Sequence, residues 1–412
     1  MEIKQNKLYL GGIACDELAK KYGTPLYVYE EDTIRQRIND LKKNIAYPKL
    51  RIHYACKANT NLAIMRILRE EGAFIDAVSP GEVYAALKAG YKAEQILFTG
   101  NSVTDEEMKE LIAKKVMINI DSLDQLERYG KLNPGSKFSV RINPDVGAGH
   151  HDHCITGGPD SKFGIYYNEA DKIKKAASQH KLNLVGLHMH IGSGILDTKT
   201  FIKAMNMLLK VAKEFDSLEF VDFGGGIGVP YRPEQKALNM KEFGKDIGLL
   251  FKEFAEEYKK EISKDGKELI MAIEPGRYLV CESGFLLAQV NTLKETSKHK
   301  FVGIDTGFGH LVRPMMYDSY HPIINASNVE GQKENISLAG NICESGDLFA
   351  KNRDITKVKH GDIIAITHAG AYGFSMSSPY NMRPRPAEIL VKAGKATIIR
   401  QRETYDDLLR GQ

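Results

Sequence analysis

Arg51-Ile52-His53-Tyr54-Ala55-Cys56-Lys57 is the stretch on which the fold turns. It reads as a buried strand that closes on a lysine. Asn59 and Asn61 follow, and helical periodicity starts at Leu62. Burying an ammonium without a partner is costly. Two readings are open. The lysine snorkels to the rim of a sheet and pairs with a carboxylate, or burial lowers its pKa and makes it a nucleophile toward carbonyls.

Outward from this stretch, short apolar runs alternate with amphipathic ones. Strands are predicted at 51–57, 74–79, 96–100, 116–121, 138–143, 184–192, 218–224 and 269–275. Helical patterns fill most gaps, for example Ser122 to Gly130 and Thr200 to Phe215. Strand-then-helix alternation implies parallel strands with crossover helices. Eight such units match a TIM-type (β/α)8 barrel better than an open doubly wound sheet. No G-x-G-x-x-G follows the first strand, which weakens a dinucleotide-binding alternative.

Past residue 280 the texture changes to short strands between turn signals. Phe285 to Thr292, Phe301 to Asp305, Ile363 to Thr367 and Ala387 to Val391 are examples. They predict a C-terminal, mostly antiparallel β domain, sandwich-like or barrel-like. Leu26-Tyr27-Val28-Tyr29 also reads as a strand and is expected to join it. The expected division is a barrel over 30–280 and a β domain formed by 1–29 and 281–412.

A chain of 412 residues is too long for one ordinary core. The net charge of +4 and the absence of a basic block disfavour nucleic acid as a partner. Five cysteines, an odd number with no C-x-x-C, argue against a disulfide framework or a structural zinc. The residues after Met1 lack the apolar core of a signal peptide, and no apolar run is long enough to span a membrane. A cytoplasmic protein is expected.

Barrel chemistry sits at the C-terminal strand ends. The first strand ends at Lys57, and the sixth runs into His188-Met189-His190-Ile191-Gly192-Ser193-Gly194. The seventh meets Gly224-Gly225-Gly226, and the eighth ends in Glu274-Pro275-Gly276-Arg277. The glycines allow backbone N–H groups to approach an anion, and Ser193 and Arg277 add a hydroxyl and a guanidinium. Each is equally compatible with a tight turn when taken alone. Glu274 is suited to hold a cationic ring nitrogen protonated, as pyridoxal 5′-phosphate requires. His190 is suited to stack on that ring, while His188 reads as a packed core residue. Two histidines are an incomplete zinc set, and His150, His151 and His153 read as a loop, so no metal is expected. Together these residues form one constellation for pyridoxal phosphate.

The segments around Lys57, His190 to Ser193, Gly224 to Gly226 and Glu274 to Arg277 resemble the fold-type III pyridoxal-phosphate decarboxylases. The C-terminal half narrows the resemblance to diaminopimelate decarboxylases. It does so through Arg313-Pro314-Met315-Met316-Tyr317, Cys343-Glu344-Ser345-Gly346-Asp347, Gly370-Ala371-Tyr372-Gly373 and Tyr380-Asn381-Met382-Arg383-Pro384-Arg385-Pro386. Gly194 after Ser193, Cys56 before Lys57 and the loop from Gly147 to Gly158 depart from the commonest pattern.

The resemblance implies loss of the carboxylate at the D centre of meso-diaminopimelate to give L-lysine. Lys57 then carries the cofactor and Cys343 is the proton donor. His190, Ser193, Gly224, Gly225, Gly226, Glu274, Gly276, Arg277 and Tyr372 contact the cofactor. Arg277, Arg313, Tyr317, Glu344 and Tyr372 contact substrate. It also implies a homodimer with shared active sites. The chemistry agrees, since Arg313 suits a distal carboxylate and Glu344 a distal ammonium. The alternatives are a decarboxylase of the same fold acting on ornithine, lysine, arginine or carboxynorspermidine, an amino-acid racemase, and a non-catalytic cofactor-binding protein.

Overall fold

The computed structural model describes residues 1–149, 156–158 and 160–412. His150, His151 and His153 lie outside the described residues. The chain forms two compact units. One comprises residues 37–229 and 236–278, the other 1–36, 230–235 and 279–412.

The first unit is a closed parallel barrel of eight strands. They are β1 (Leu50–Ala55), β2 (Phe74–Ala77), β3 (Ile96–Phe98), β4 (Met117–Ile120), β5 (Lys137–Asn143), β6 (Asn183–His188), β7 (Phe220–Asp222) and β8 (Ile270–Ile273). Each pairs in parallel with the next, and β8 pairs with β1 to close the ring. Each overlaps a predicted run, and six of the eight stop two or more residues before its predicted end. The strands are almost wholly buried, as expected where helices cover the outer face.

The return of each helix is encoded locally. Ser79 accepts the Glu82 N–H ahead of the helix Pro80–Lys88, with Pro80 at its first position. Thr104 and Glu107 form a reciprocal capping box on Asp105–Ala113. Asn61, Ser122, Asp197 and Asn239 cap four further helices. Such caps contribute about 1 kcal/mol each and fix where these helices begin.

The second unit is a mixed sheet. Gly284–Glu295 is its longest strand and pairs antiparallel with Leu26–Glu30, Lys300–Ile304 and Ile363–Ile366. The N-terminal strand therefore belongs to this sheet, as expected. Two pairings are parallel: Leu26–Glu30 with Ala387–Lys392, and Lys300–Ile304 with Lys333–Ala339. Sequence reading did not anticipate these because adjacent turn signals favour hairpins, whereas these partners are far apart in the chain. Val28, Phe285, Leu287, Ala365 and Ile389 centre the core, with Leu8, Leu10 and Leu18 packed on it.

Candidate active site

Lys57 is not the last residue of its strand. The strand stops at Ala55, and Lys57 lies in the one-turn helix Cys56–Ala58. Its side chain is about a third exposed, and Nζ lies 3.3 Å from Asp76 Oδ2 at the end of β2. The ammonium is thus neither fully buried nor unpaired, the geometry of a lysine near the rim paired with a carboxylate. Asp76 is fully buried and also accepts from the Thr99 hydroxyl. Burial pushes its carboxyl up, but the Lys57 charge and the Thr99 hydrogen bond outweigh that and hold it below the usual aspartate range. Asp76 and Thr99 escaped the sequence reading. Their signal was an acid at the end of an apolar strand, Phe74-Ile75-Asp76-Ala77.

His188, at the end of β6, is buried with both ring nitrogens engaged. Asn119 Nδ2 lies 3.3 Å from Nδ1, and Glu274 Oε2 lies 3.0 Å from Nε2. Ser139 donates to Asn119 Oδ1 at 2.9 Å, which turns the amide N toward the histidine. Nδ1 is therefore the acceptor and Nε2 carries the proton. Burial lowers the His188 pKa to about 4, so the ring is neutral. His190 is also neutral, mainly because burial pushes its pKa well down, and its Nδ1 accepts the Gly225 N–H at 3.1 Å.

Glu274 is buried, and Oε1 has no hydrogen-bond partner among the described residues. Burial, then the Asp76 and Asp222 carboxylates, push its carboxyl well above the usual range. A buried acceptor without a donor is costly, and a ring N–H⁺ would satisfy it. His53 Nδ1 lies 2.9 Å from Asp222 Oδ2, and His53, Asp222 and Glu274 bring ligand atoms within 4.8 Å of one another.

The glycine run owes its composition to packing. A Cβ on Gly224 would lie 2.1 Å from the Met189 carbonyl, and one on Gly225 2.2 Å from the Glu274 carbonyl. Gly224 also has φ +67°. Their N–H groups go to Asp222 Oδ1 at 2.8 Å and to His190 Nδ1 at 3.1 Å. Beside Gly226, whose carbonyl accepts from Ile195, Arg277 Nε and Nη2 reach Ser193 Oγ at 3.3 and 3.1 Å. Gly276 packs on Ala55 and Ala58. Thus Lys57, His190, Ser193, the glycine run, Glu274, Gly276 and Arg277 share the C-terminal mouth of the barrel. A primary amine, an orphaned buried carboxyl oxygen and the Ser193–Arg277 pair fit pyridoxal phosphate.

The remaining candidates belong to the second unit. Arg313 is buried, donates to Ser319 Oγ at 3.1 Å and has an Nε without a hydrogen-bond partner among the described residues. Its guanidinium lies 5.3 Å from the Tyr231 ring and 5.8 Å from that of Tyr317. Cys343 and Glu344 are exposed. The Cys343 N–H is held by Asn381 Oδ1 at 2.8 Å, and Asp347 accepts the Ile342 and Phe308 N–H groups at 2.8 and 2.6 Å. Tyr372 has φ +57°, rare for a bulky residue.

Residues 31–281 match the model of the pyridoxal binding domain of pyridoxal-dependent decarboxylases. Fold and site define that class of barrel enzyme. Over 98% of its length the chain is 50% identical to the diaminopimelate decarboxylase of Methanothermobacter thermautotrophicus, covering 95% of it. It is 38% identical to that of Aquifex aeolicus, covering 98% of this chain and 96% of that one. The crystal structure of the M. jannaschii diaminopimelate decarboxylase in complex with L-lysine superposes with a TM-score of 0.89 at 36% identity, covering 99% and 96% of the two chains. The chain belongs to the diaminopimelate decarboxylase family.

Proposed function

We propose that this protein removes the carboxylate at the D centre of meso-2,6-diaminopimelate, using pyridoxal 5′-phosphate, and releases L-lysine and CO2. The observation that carries this reading is the 50% identity to a diaminopimelate decarboxylase along nearly the whole chain.

Bound in the mouth of the barrel at 30–280, the cofactor supplies an electron sink for the bond that breaks. Lys57 tethers it, with Asp76 orienting the amine. Glu274 keeps the ring nitrogen protonated, and His188 holds Glu274 by its other oxygen. His190 covers the ring face, its orientation set by the Gly225 N–H. Gly224 and Gly225 set the loop path. Gly226, Ser193, Gly276 and Arg277 receive the phosphate, with Tyr372 also near the cofactor.

Arg313 binds the distal carboxylate, supported by Ser319, Tyr231 and Tyr317, while Glu344 accepts from the distal ammonium. Arg277 and Tyr372 also contact substrate. The Cys343 Sγ–H delivers a proton to the carbon that has lost CO2. A substrate without a distal carboxylate would leave Arg313 uncompensated, which disfavours ornithine or lysine.

The protein acts as a cytoplasmic homodimer with shared active sites. Among the described residues no helix is long and apolar enough to cross a membrane. Met315, Met316, Tyr380 and Met382 are exposed apolar side chains in the unit that carries Cys343, a composition suited to a subunit interface. Mixing Lys57→Ala with Cys343→Ala protein restores activity if the sites are shared, whereas an inactive mixture contradicts that arrangement. CO2 release is to be compared for meso-diaminopimelate, ornithine, lysine and arginine. Turnover of ornithine without turnover of diaminopimelate would overturn the substrate assignment.

A further inference from the structure

We propose that the N-terminal mouth of the barrel is a second ligand site, which takes a small carboxylate borne on an apolar, preferably aromatic, body. The inference is independent of the decarboxylase reading. A cavity of about 460 Å³ lies there, within the ~300–1,000 Å³ typical of small-molecule sites. Phe74, Ile96, Met117 and Ile270, which line it, are the first residues of β2, β3, β4 and β8. Lys57, Glu274 and the glycine run lie at the opposite strand ends.

Arg51 is the anchor. It lines the cavity, is half-buried, and holds its guanidinium 5.0 Å from the centre of the Phe74 ring. It makes no hydrogen bond or ion pair with any described residue. The neighbouring carboxylate, Glu219, is already engaged by Lys137 at 2.8 Å and Lys267 at 3.7 Å. Burial pushes the guanidinium pKa down, and the Glu219 carboxylate offsets this only in part. A guanidinium partly withdrawn from water, stacked on an aromatic ring and facing a cavity, is preorganised for a bidentate carboxylate. Phe74, Phe220 and Ile270 supply the apolar wall, and Phe220 and Ile270 belong to the cluster that floors the barrel.

Isothermal titration of the holoenzyme with 2-naphthoate tests this. One saturable site per chain is expected, not displaced by saturating L-lysine. The Arg51→Leu variant should bind about tenfold more weakly or worse. The neutral 2-naphthylmethanol should show a similar loss on the unsubstituted protein, a comparison that needs no folded variant. Absence of saturable binding, displacement by L-lysine, or equal affinity for acid and alcohol overturns the proposal.

Discussion

His188 Nε2 donates to Glu274 Oε2 at 3.0 Å, and the other oxygen of Glu274 is left buried without a hydrogen-bond partner among the described residues. The histidine fixes the carboxyl and spends only one of its oxygens. The free oxygen is what a cationic ring nitrogen needs.

Glu274→Gln keeps an acceptor for His188 but cannot ionise. Turnover should fall about 100-fold or more, because the electron sink depends on a protonated ring nitrogen. Visible absorbance of the bound cofactor should persist. Steady-state CO2 release and the absorption spectrum check this, and undiminished turnover would remove Glu274 from that role.

His188 predicts a pH dependence of stability. Its pKa is about 4 in the fold, against roughly 6.5 in an unfolded chain. Between those values the unfolded state binds the extra proton, so stability rises with pH. The contribution is complete above about pH 6.5 and is lost as pH falls toward 4. The slope reaches at most about 1.4 kcal/mol per pH unit. Urea titrations should show it, and His188→Gln should flatten it.

Asp76 is held below the usual aspartate range, so its ionised form supports the fold. That contribution is present above about pH 4, the unfolded value, and fades as pH falls through the lower folded value. In cofactor-free protein Asp76→Asn should cost about 1–3 kcal/mol at neutral pH. The difference from the unsubstituted protein should shrink in acid. An unchanged difference across that range would mean that the Lys57 pairing contributes nothing.

Cys343→Ala should lower turnover about 10²–10⁴-fold, the usual contribution of a placed proton donor, without loss of cofactor absorbance. Asn381→Ala, which frees the Cys343 N–H, should cost less, about tenfold. Full activity in Cys343→Ala excludes the thiol as donor.

Arg313→Lys retains charge but not the planar fork. A fall of about 10–100-fold in kcat/KM for diaminopimelate is expected, with unchanged cofactor binding. Thermal melting of the same variant separates substrate recognition from support of the fold, since a large drop in Tm would assign Arg313 to structure.

The eight-strand barrel was legible in the sequence because burial periodicity and helix caps are local properties. Ser79-Pro80 and Thr104 to Glu107 announce their helices without reference to the rest of the chain. The chemical types at the strand ends, Lys57, His190 and Glu274, were readable for the same reason. Three things were decided only by tertiary structure. Parallel pairing of β1 with β2, which sets Ala55 against Asp76, gives Lys57 the Asp76 carboxylate. Amide orientation at Asn119, set by Ser139, decides the His188 tautomer. The close approach of Met189 and Glu274 carbonyls explains Gly224 and Gly225, which the sequence presented as an anion cradle. Each depends on residues distant in the chain meeting at one barrel mouth, and local pattern carries no record of such meetings.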